Sequence, residues 1–229
     1  MNMMEYATPT APPLEFESAM IHPQMMPSTI IPTTTPSPSP FMTAIIHPQY
    51  CAPYPVGLVV NKGKTVLHKY TVTDMNGNLV FTVTNPFFTV REHRFLCDAH
   101  GNTILHLHRQ VFRDRWKAFR GQSMENMEIF TRKESSLFQL RTTFDVFLAN
   151  NTTRICDFKL VKAGFFARSW VVNIAQSDIV VAEIKHKVGR MFRRDKFMVT
   201  ISPNIDYAFI VALTLTLDDY MRRMKRRLC

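Results

Sequence analysis

The chain has 229 residues, a formal net charge of +10 and a mean hydropathy of −0.08, which suits one substantial domain plus a tail and leaves ample chain to bury a core. Every one of its 28 Lys and Arg lies from Lys62 onward, against 15 of the 18 acidic residues. A folded part this basic seeks phosphate, on nucleic acid or on an anionic leaflet, unless the charge serves only solubility.

The start, Met1-Asn-Met-Met-Glu-Tyr6, lacks the charged and apolar regions of a signal peptide. With Asn at position 2 and Cys229 last, neither the myristoylation nor the C-a-a-X pattern applies. Cys51, Cys97, Cys156 and Cys229 are scattered without a C-x-x-C pair, which points to reduced thiols in the cytosol or nucleus. Without secretion, the sequons at Asn150 and Asn151 stay idle.

Twelve of the 14 prolines fall in the first 55 residues, and Pro32 to Pro40 is low-complexity. Residues 1–47 are therefore expected to form a disordered or extended arm, with Ser37 and Ser39 as phosphorylation candidates on an otherwise passive tail. The folded domain is expected over residues 48–220, and residues 221–229 form a basic tail.

Within that domain, strand and turn signals dominate. Asp74-Met-Asn-Gly-Asn78 lies between Tyr70-Thr-Val-Thr73 and Leu79-Val-Phe-Thr-Val83, a hairpin signature. It recurs as Asp98-Ala-His-Gly-Asn102 before Thr103-Ile-Leu-His-Leu107. Further strands are read near 58–61, 88–95, 116–119, 129–132, 137–141, 144–148, 154–160, 169–174, 179–186 and 197–202. About a dozen strands at this spacing make a sandwich or a barrel.

Tyr207 to Leu217 then runs without a charge between Asp206 and the pair Asp218, Asp219. As a helix it would be apolar on every side, at about 16 Å too short to cross a bilayer and suited to being surrounded by protein. Leu213, Leu215 and Leu217 alternate with Thr214 and Thr216, which alone favours a strand. Asp206 as an N-cap and the cations Arg222 to Arg227 beyond the far end favour the helix. A closed sheet of about twelve strands would leave a hole that such a helix fills.

Several runs resemble the LURP-one-related family of plants. They are Tyr50-Cys-Ala-Pro-Tyr-Pro55, Asp114-Arg-Trp-Lys-Ala-Phe-Arg-Gly121, Asp145-Val-Phe-Leu148, Cys156-Asp-Phe158 and Val199-Thr-Ile-Ser-Pro-Asn-Ile-Asp-Tyr-Ala-Phe-Ile210. The resemblance covers about residues 48–220 and implies a tubby-like fold, a twelve-stranded closed antiparallel barrel around a buried hydrophobic C-terminal α-helix. It also implies kinship with relatives of that fold: tubby proteins, which dock on phosphoinositides and have nuclear regulatory roles, and phospholipid scramblases. Some family members are linked to plant defence. No motif matches the tubby lipid pocket residue by residue.

Two basic groups are candidate sites. Lys185, Lys187, Arg190, Arg193, Arg194 and Lys196 surround Met191 and Phe192 around a turn at Gly189, which suits a membrane-docking loop; the plainer alternative folds the apolar pair onto the barrel. Arg222, Arg223, Lys225, Arg226 and Arg227 form a candidate tether to an anionic surface, a nuclear import signal or a nucleic-acid patch, or in part a complement to the helix dipole. A third stripe, Arg113, Arg115 and Lys117, reads as a solvated exterior. His106 and His108 share a strand face, yet two ligands without a third argue against zinc. No phosphate loop, nucleophile elbow or acid and base pair is visible, so no catalytic residue and no cofactor are assigned. The expectation is a monomeric, non-enzymatic protein that attaches from the cytoplasmic side to an anionic phospholipid (phosphoinositide) surface and serves a protein partner as adapter. A nuclear regulator associated with nucleic acid is the alternative.

Overall fold

The computed structural model describes residues 44–63, 68–85, 93–110, 115–135, 142–164, 168–188 and 195–227. Twelve strands follow in chain order: β1 (Val56–Lys62), β2 (His68–Asp74), β3 (Leu79–Thr84), β4 (His93–Asp98), β5 (Thr103–Gln110), β6 (Arg115–Arg120), β7 (Glu128–Glu134), β8 (Thr143–Leu148), β9 (Phe158–Lys162), β10 (Ser169–Ile174), β11 (Val180–Lys187) and β12 (Lys196–Ile201). One helix, α1 (Tyr207–Arg227), ends the series. Each strand pairs antiparallel with its sequence neighbours, and β1 also pairs with β12 from Val56↔Ile201 to Asn61↔Lys196. The sheet is thus a barrel without an edge, and the sandwich alternative falls away.

Both foreseen hairpins form, and the reason is local. Asp74 Oδ1 accepts the backbone N–H of Asn76 and of Asn78, each at 2.9 Å, and Asn78 Nδ2 donates to Oδ2 at 2.8 Å. Asp98 does the same for His100 and Asn102. Gly77 and Gly101 follow with φ of +92° and +89°, a conformation that costs other residues energy. The loops are therefore three residues long and closed by a left-handed glycine, rather than two-residue turns with Asn76 also left-handed.

Along the strands, alternate side chains point inward. Leu58 and Val60, Tyr70 and Val72, and Phe144 and Val146 are all buried, with residues between them more open. Into that lumen goes α1, whose residues Ala208 through Leu217 have no exposed surface. Phe209 meets Phe130 edge-on and Phe158 obliquely, with ring centroids 5.2 Å apart in both pairs. The strand-like Leu/Thr alternation is accommodated because the helix satisfies its own hydroxyls. Thr214 Oγ1 donates to the Ile210 carbonyl at 2.9 Å and Thr216 Oγ1 to Leu213 at 2.7 Å, so neither buried hydroxyl is left without a partner.

Asp206 caps the helix as expected, accepting the Phe209 N–H at 3.1 Å. Its other oxygen accepts from Ile46 and His47 at 2.6 and 3.1 Å, which ties the segment before β1 under the helix start. Burial raises the Asp206 carboxyl above its usual range, and these backbone donors oppose the rise. Ile46 and His47, read with the arm in the sequence, are thus held against the helix start, and residues 1–43 lie outside the described residues.

One further reading differs. The strand foreseen from Arg154 starts at Phe158, because the residues before it are organised locally. Asn151 Oδ1 accepts from Thr153 N–H at 2.7 Å, and Asp157 Oδ2 takes Leu148 N–H at 2.8 Å and Asn151 Nδ2 at 2.7 Å. Such side-chain bonds compete with a ladder. The strand read over 137–141 lies outside the described residues, as do residues 88–92 of another.

The topology gives the barrel two unlike ends. The connections β2–β3, β4–β5, β6–β7, β8–β9 and β10–β11 join the segment at Ile46 and the start of α1 at one, here the closed end. The connections β1–β2, β3–β4, β5–β6, β7–β8, β9–β10 and β11–β12 share the other, the open end, with the last turns of α1.

Candidate functional site: the cationic open end

Apolar packing ends at Leu217, but the lumen does not. Asp218 and Asp219 follow on the helix, only 1% and 7% exposed, and a buried carboxylate persists only when partners offset its desolvation. For Asp218 they come from three elements: the Tyr70 hydroxyl on β2 donates to Oδ2, Lys62 Nζ on β1 lies 3.0 Å from Oδ1, and Arg222 Nε lies 3.0 Å from Oδ2. Burial alone would raise its pKa, yet Arg222 and Lys62 outweigh burial and hold the carboxyl below its usual value. Asp219 collects Arg223 Nε at 3.1 Å, Arg94 Nη2 at 3.4 Å and Arg109 Nε at 3.6 Å.

Arg94 is fully buried and works on several neighbours at once. Its Nη1 donates to the Leu215 carbonyl, and its guanidinium carbon stands 4.9 Å from the Trp116 ring centroid and 5.7 Å from that of Tyr70. The network extends to β12 through Asp195, 3.5 Å from Lys62 and 3.6 Å from His186 Nε2. Lys62, Arg94, Arg109, Arg222 and Arg223 thus face Asp195, Asp218 and Asp219, so the helix exit is stapled to the barrel with positive charge to spare.

The foreseen site residues divide as follows. Lys185 and Lys187 lie on β11 and Lys196 opens β12; Lys185 pairs with Glu183 at 2.9 Å, whereas Lys187 lies opposite Lys196 in register. Arg190, Met191, Phe192, Arg193 and Arg194 lie outside the described residues. The basic run expected beyond the helix belongs to it, since α1 extends through Arg227. Arg222 and Arg223 are spent on Asp218 and Asp219, leaving Lys225, Arg226 and Arg227 exposed at the helix C-terminus. The flanks of the loop and the helix end therefore share the open end, linked through Lys62. Among the described residues no carboxylate pairs with Lys187, Lys196, Lys225, Arg226 or Arg227.

Of the third stripe, Lys117 is held by Glu128 at 2.6 Å and Arg113 lies outside the described residues. His106 sits on the outer wall with His93, their ring nitrogens 2.8 Å apart, and His108 stacks on His93 at 4.6 Å between centroids. Burial and these two neighbouring rings bring the His106 pKa down to about 4. Among the described residues no three His, Cys, Asp or Glu are placed to hold a metal ion. Burial pushes the Cys51 thiol up to about 11, which disfavours the reactive thiolate. What the open end offers chemically is a concentration of cations for a polyvalent anion.

Sequence reasoning missed Tyr70, Lys62, Arg94 and Arg109, which are remote from α1 along the chain. The available signal was the pair Asp218, Asp219 at the end of an apolar run, two carboxylates that would need partners if the run were buried.

A family model described as LURP-one-related matches residues 56–218. Among similar proteins of Arabidopsis thaliana, LURP-one-related 10 is 41% identical over 76% of this chain and 94% of its own length. LURP-one-related 15 is 40% identical over 76% and 84%, and LURP1 is 39% identical over 74% and 86%. An X-ray structure of another Arabidopsis thaliana protein superposes with a TM-score of 0.60 at 36% identity, covering 77% of this chain and 97% of that one.

Proposed function

The chain belongs to the LURP-one-related family, and from that premise we propose a non-enzymatic adapter that docks peripherally, by its open end, on anionic and phosphoinositide-bearing membranes in the cytoplasm, with a role in plant defence signalling. The observation that carries this reading is the shared position of Lys187, Lys196, Lys225, Arg226 and Arg227 at one end of the barrel. Near an anionic leaflet each cation contributes about 1 kcal/mol, so these five together supply ~5 kcal/mol at low salt. Arg190, Arg193 and Arg194 of the β11–β12 connection would add to this, with Met191 and Phe192 entering the acyl boundary. The staple at Asp218 and Asp219 supports the idea by fixing the helix end relative to β1, β2, β4 and β5. Vesicle flotation tests it: recovery with phosphatidylserine vesicles and none with neutral ones is expected at low salt, and equal recovery refutes it.

Lipid scrambling has less support. No helix among the described residues is long and apolar enough to cross a membrane, and α1 fills the barrel. A nuclear, nucleic-acid-associated regulator is the second reading, motivated by the run from Arg222 to Arg227. It is weakened because Arg222 and Arg223 are engaged with Asp218 and Asp219. Fusion of residues 221–229 to a reporter, together with DNA binding by the full chain at moderate salt, tests it; no relocation and no binding end it.

A further inference from the structure

The first described residues of the chain form one wall of a cavity. Ala44 and Ile45 line a cleft of ≈ 540 Å³ together with Met127, Ile129 and Leu148, a volume in the range of ligand pockets. Its charged groups are already engaged. Arg120 donates to the Ile46 carbonyl at 3.1 Å, while Glu128 holds Lys117 at 2.6 Å and accepts from Thr131 Oγ1 at 2.5 Å. What is left for an occupant is mostly apolar wall, which suits an apolar side chain and disfavours a charged one. Met127 is 64% exposed, a flexible thioether with room to close over whatever enters.

The chain itself supplies the occupant. Ile46 is held on both sides, its N–H by Asp206 at 2.6 Å and its carbonyl by Arg120, so the residues before Ala44 start from a fixed point on the cleft wall. Apart from prolines, the apolar side chains between Pro32 and Thr43 are Phe41 and Met42 alone. Phe41 precedes Ala44 by three residues, a span of at most about 10 Å. A side chain on so short a tether meets the cleft at an effective concentration on the order of millimolar, and an untethered ligand of equal intrinsic affinity is excluded until it approaches that level. We propose that Phe41 and Met42 occupy the cleft beside Ile45, Ile129 and Leu148 as an intramolecular ligand, which an apolar segment of any partner protein must displace. Because the cleft lies at the closed end, its occupancy does not depend on docking to membranes.

The test uses the full chain in solution, labelled at isoleucine, leucine and methionine methyls for NMR. Nuclear Overhauser contacts from the Phe41 ring to the methyls of Ile129 and Leu148 are expected, and those methyls shift in the double variant Phe41→Ser, Met42→Ser while the remaining spectrum keeps the barrel's pattern. Occupancy is read with a synthetic peptide of residues 36–43. It binds the double variant, and binds the unaltered chain at least about tenfold more weakly because the tethered segment is already seated. A peptide with serine in place of both Phe41 and Met42 binds neither chain. Absence of contacts from Phe41, or equal affinity of the peptide for the two chains, overturns the proposal. So do contacts that arise only between differently labelled chains in a mixed sample, which make the arm of a second copy the occupant.

Discussion

Asp218 shows how one side chain joins sequence, packing and function. Asp218→Asn leaves Lys62 and Arg222 facing a neutral amide in a buried place, and breaking such a pair costs about 3–5 kcal/mol. A urea midpoint that falls accordingly is expected; a loss under about 1 kcal/mol would show that the pair acts like a surface one. His106 supplies a pH dependence. Its folded pKa, about 4, lies below the ordinary 6.5 because burial and the facing rings of His93 and His108 disfavour the cation. Its contribution to stability is therefore complete above pH 6.5 and is lost as pH falls towards 4. His106→Phe should flatten the stability profile in that window, and an unchanged slope would assign the acid sensitivity to other groups. At this scale the sequence was legible where the partner is local, as with Asp206 three residues before Phe209. It was opaque at Asp218 and Asp219, whose partners on β1, β2, β4 and β5 are more than a hundred residues away.

Among the elements, the hairpin turns and the helix carry the clearest expectations. A Cβ on Gly101 would meet nothing within 4 Å, so the penalty of Gly101→Ala is that of its φ of +89° alone, about 1–2 kcal/mol. Thermal unfolding checks this, and a stabilised variant would mean that the turn relaxes to another form. Leu213, without exposed surface, lies in the middle of the lumen. Leu213→Asp is expected to give unfolded or aggregated chain, and a soluble variant with an unchanged melting temperature would contradict the buried helix. The elements were largely legible because period two in the strands and the Asp-x-x-Gly-Asn turns are local properties. Leu213 to Leu217 was ambiguous for a physical reason: threonine suits a strand, but in a helix its hydroxyl returns to a carbonyl of the preceding turn, as at Thr214 and Thr216. Residues 154–157 misled in the opposite direction, their apolar and β-branched character overridden by Asn151 and Asp157.

Over the whole molecule, antiparallel closure sorts the connections into two sets, and composition follows that sorting. Lys187, Lys196, Lys225, Arg226 and Arg227 gather where α1 leaves the barrel. Charge excess and both basic runs were legible in the sequence, yet their common position was not, because it depends on the parity of strands between Lys187 and Arg227. The measurement that bears most directly on this account is binding of the full chain to anionic vesicles with charge reversals matched in size at opposite ends, Arg226→Glu and Arg154→Glu. Both change net charge equally. Loss of binding from Arg226→Glu with Arg154→Glu unaffected is the expected result, and equal loss from both would show attraction by net charge alone, without an oriented face.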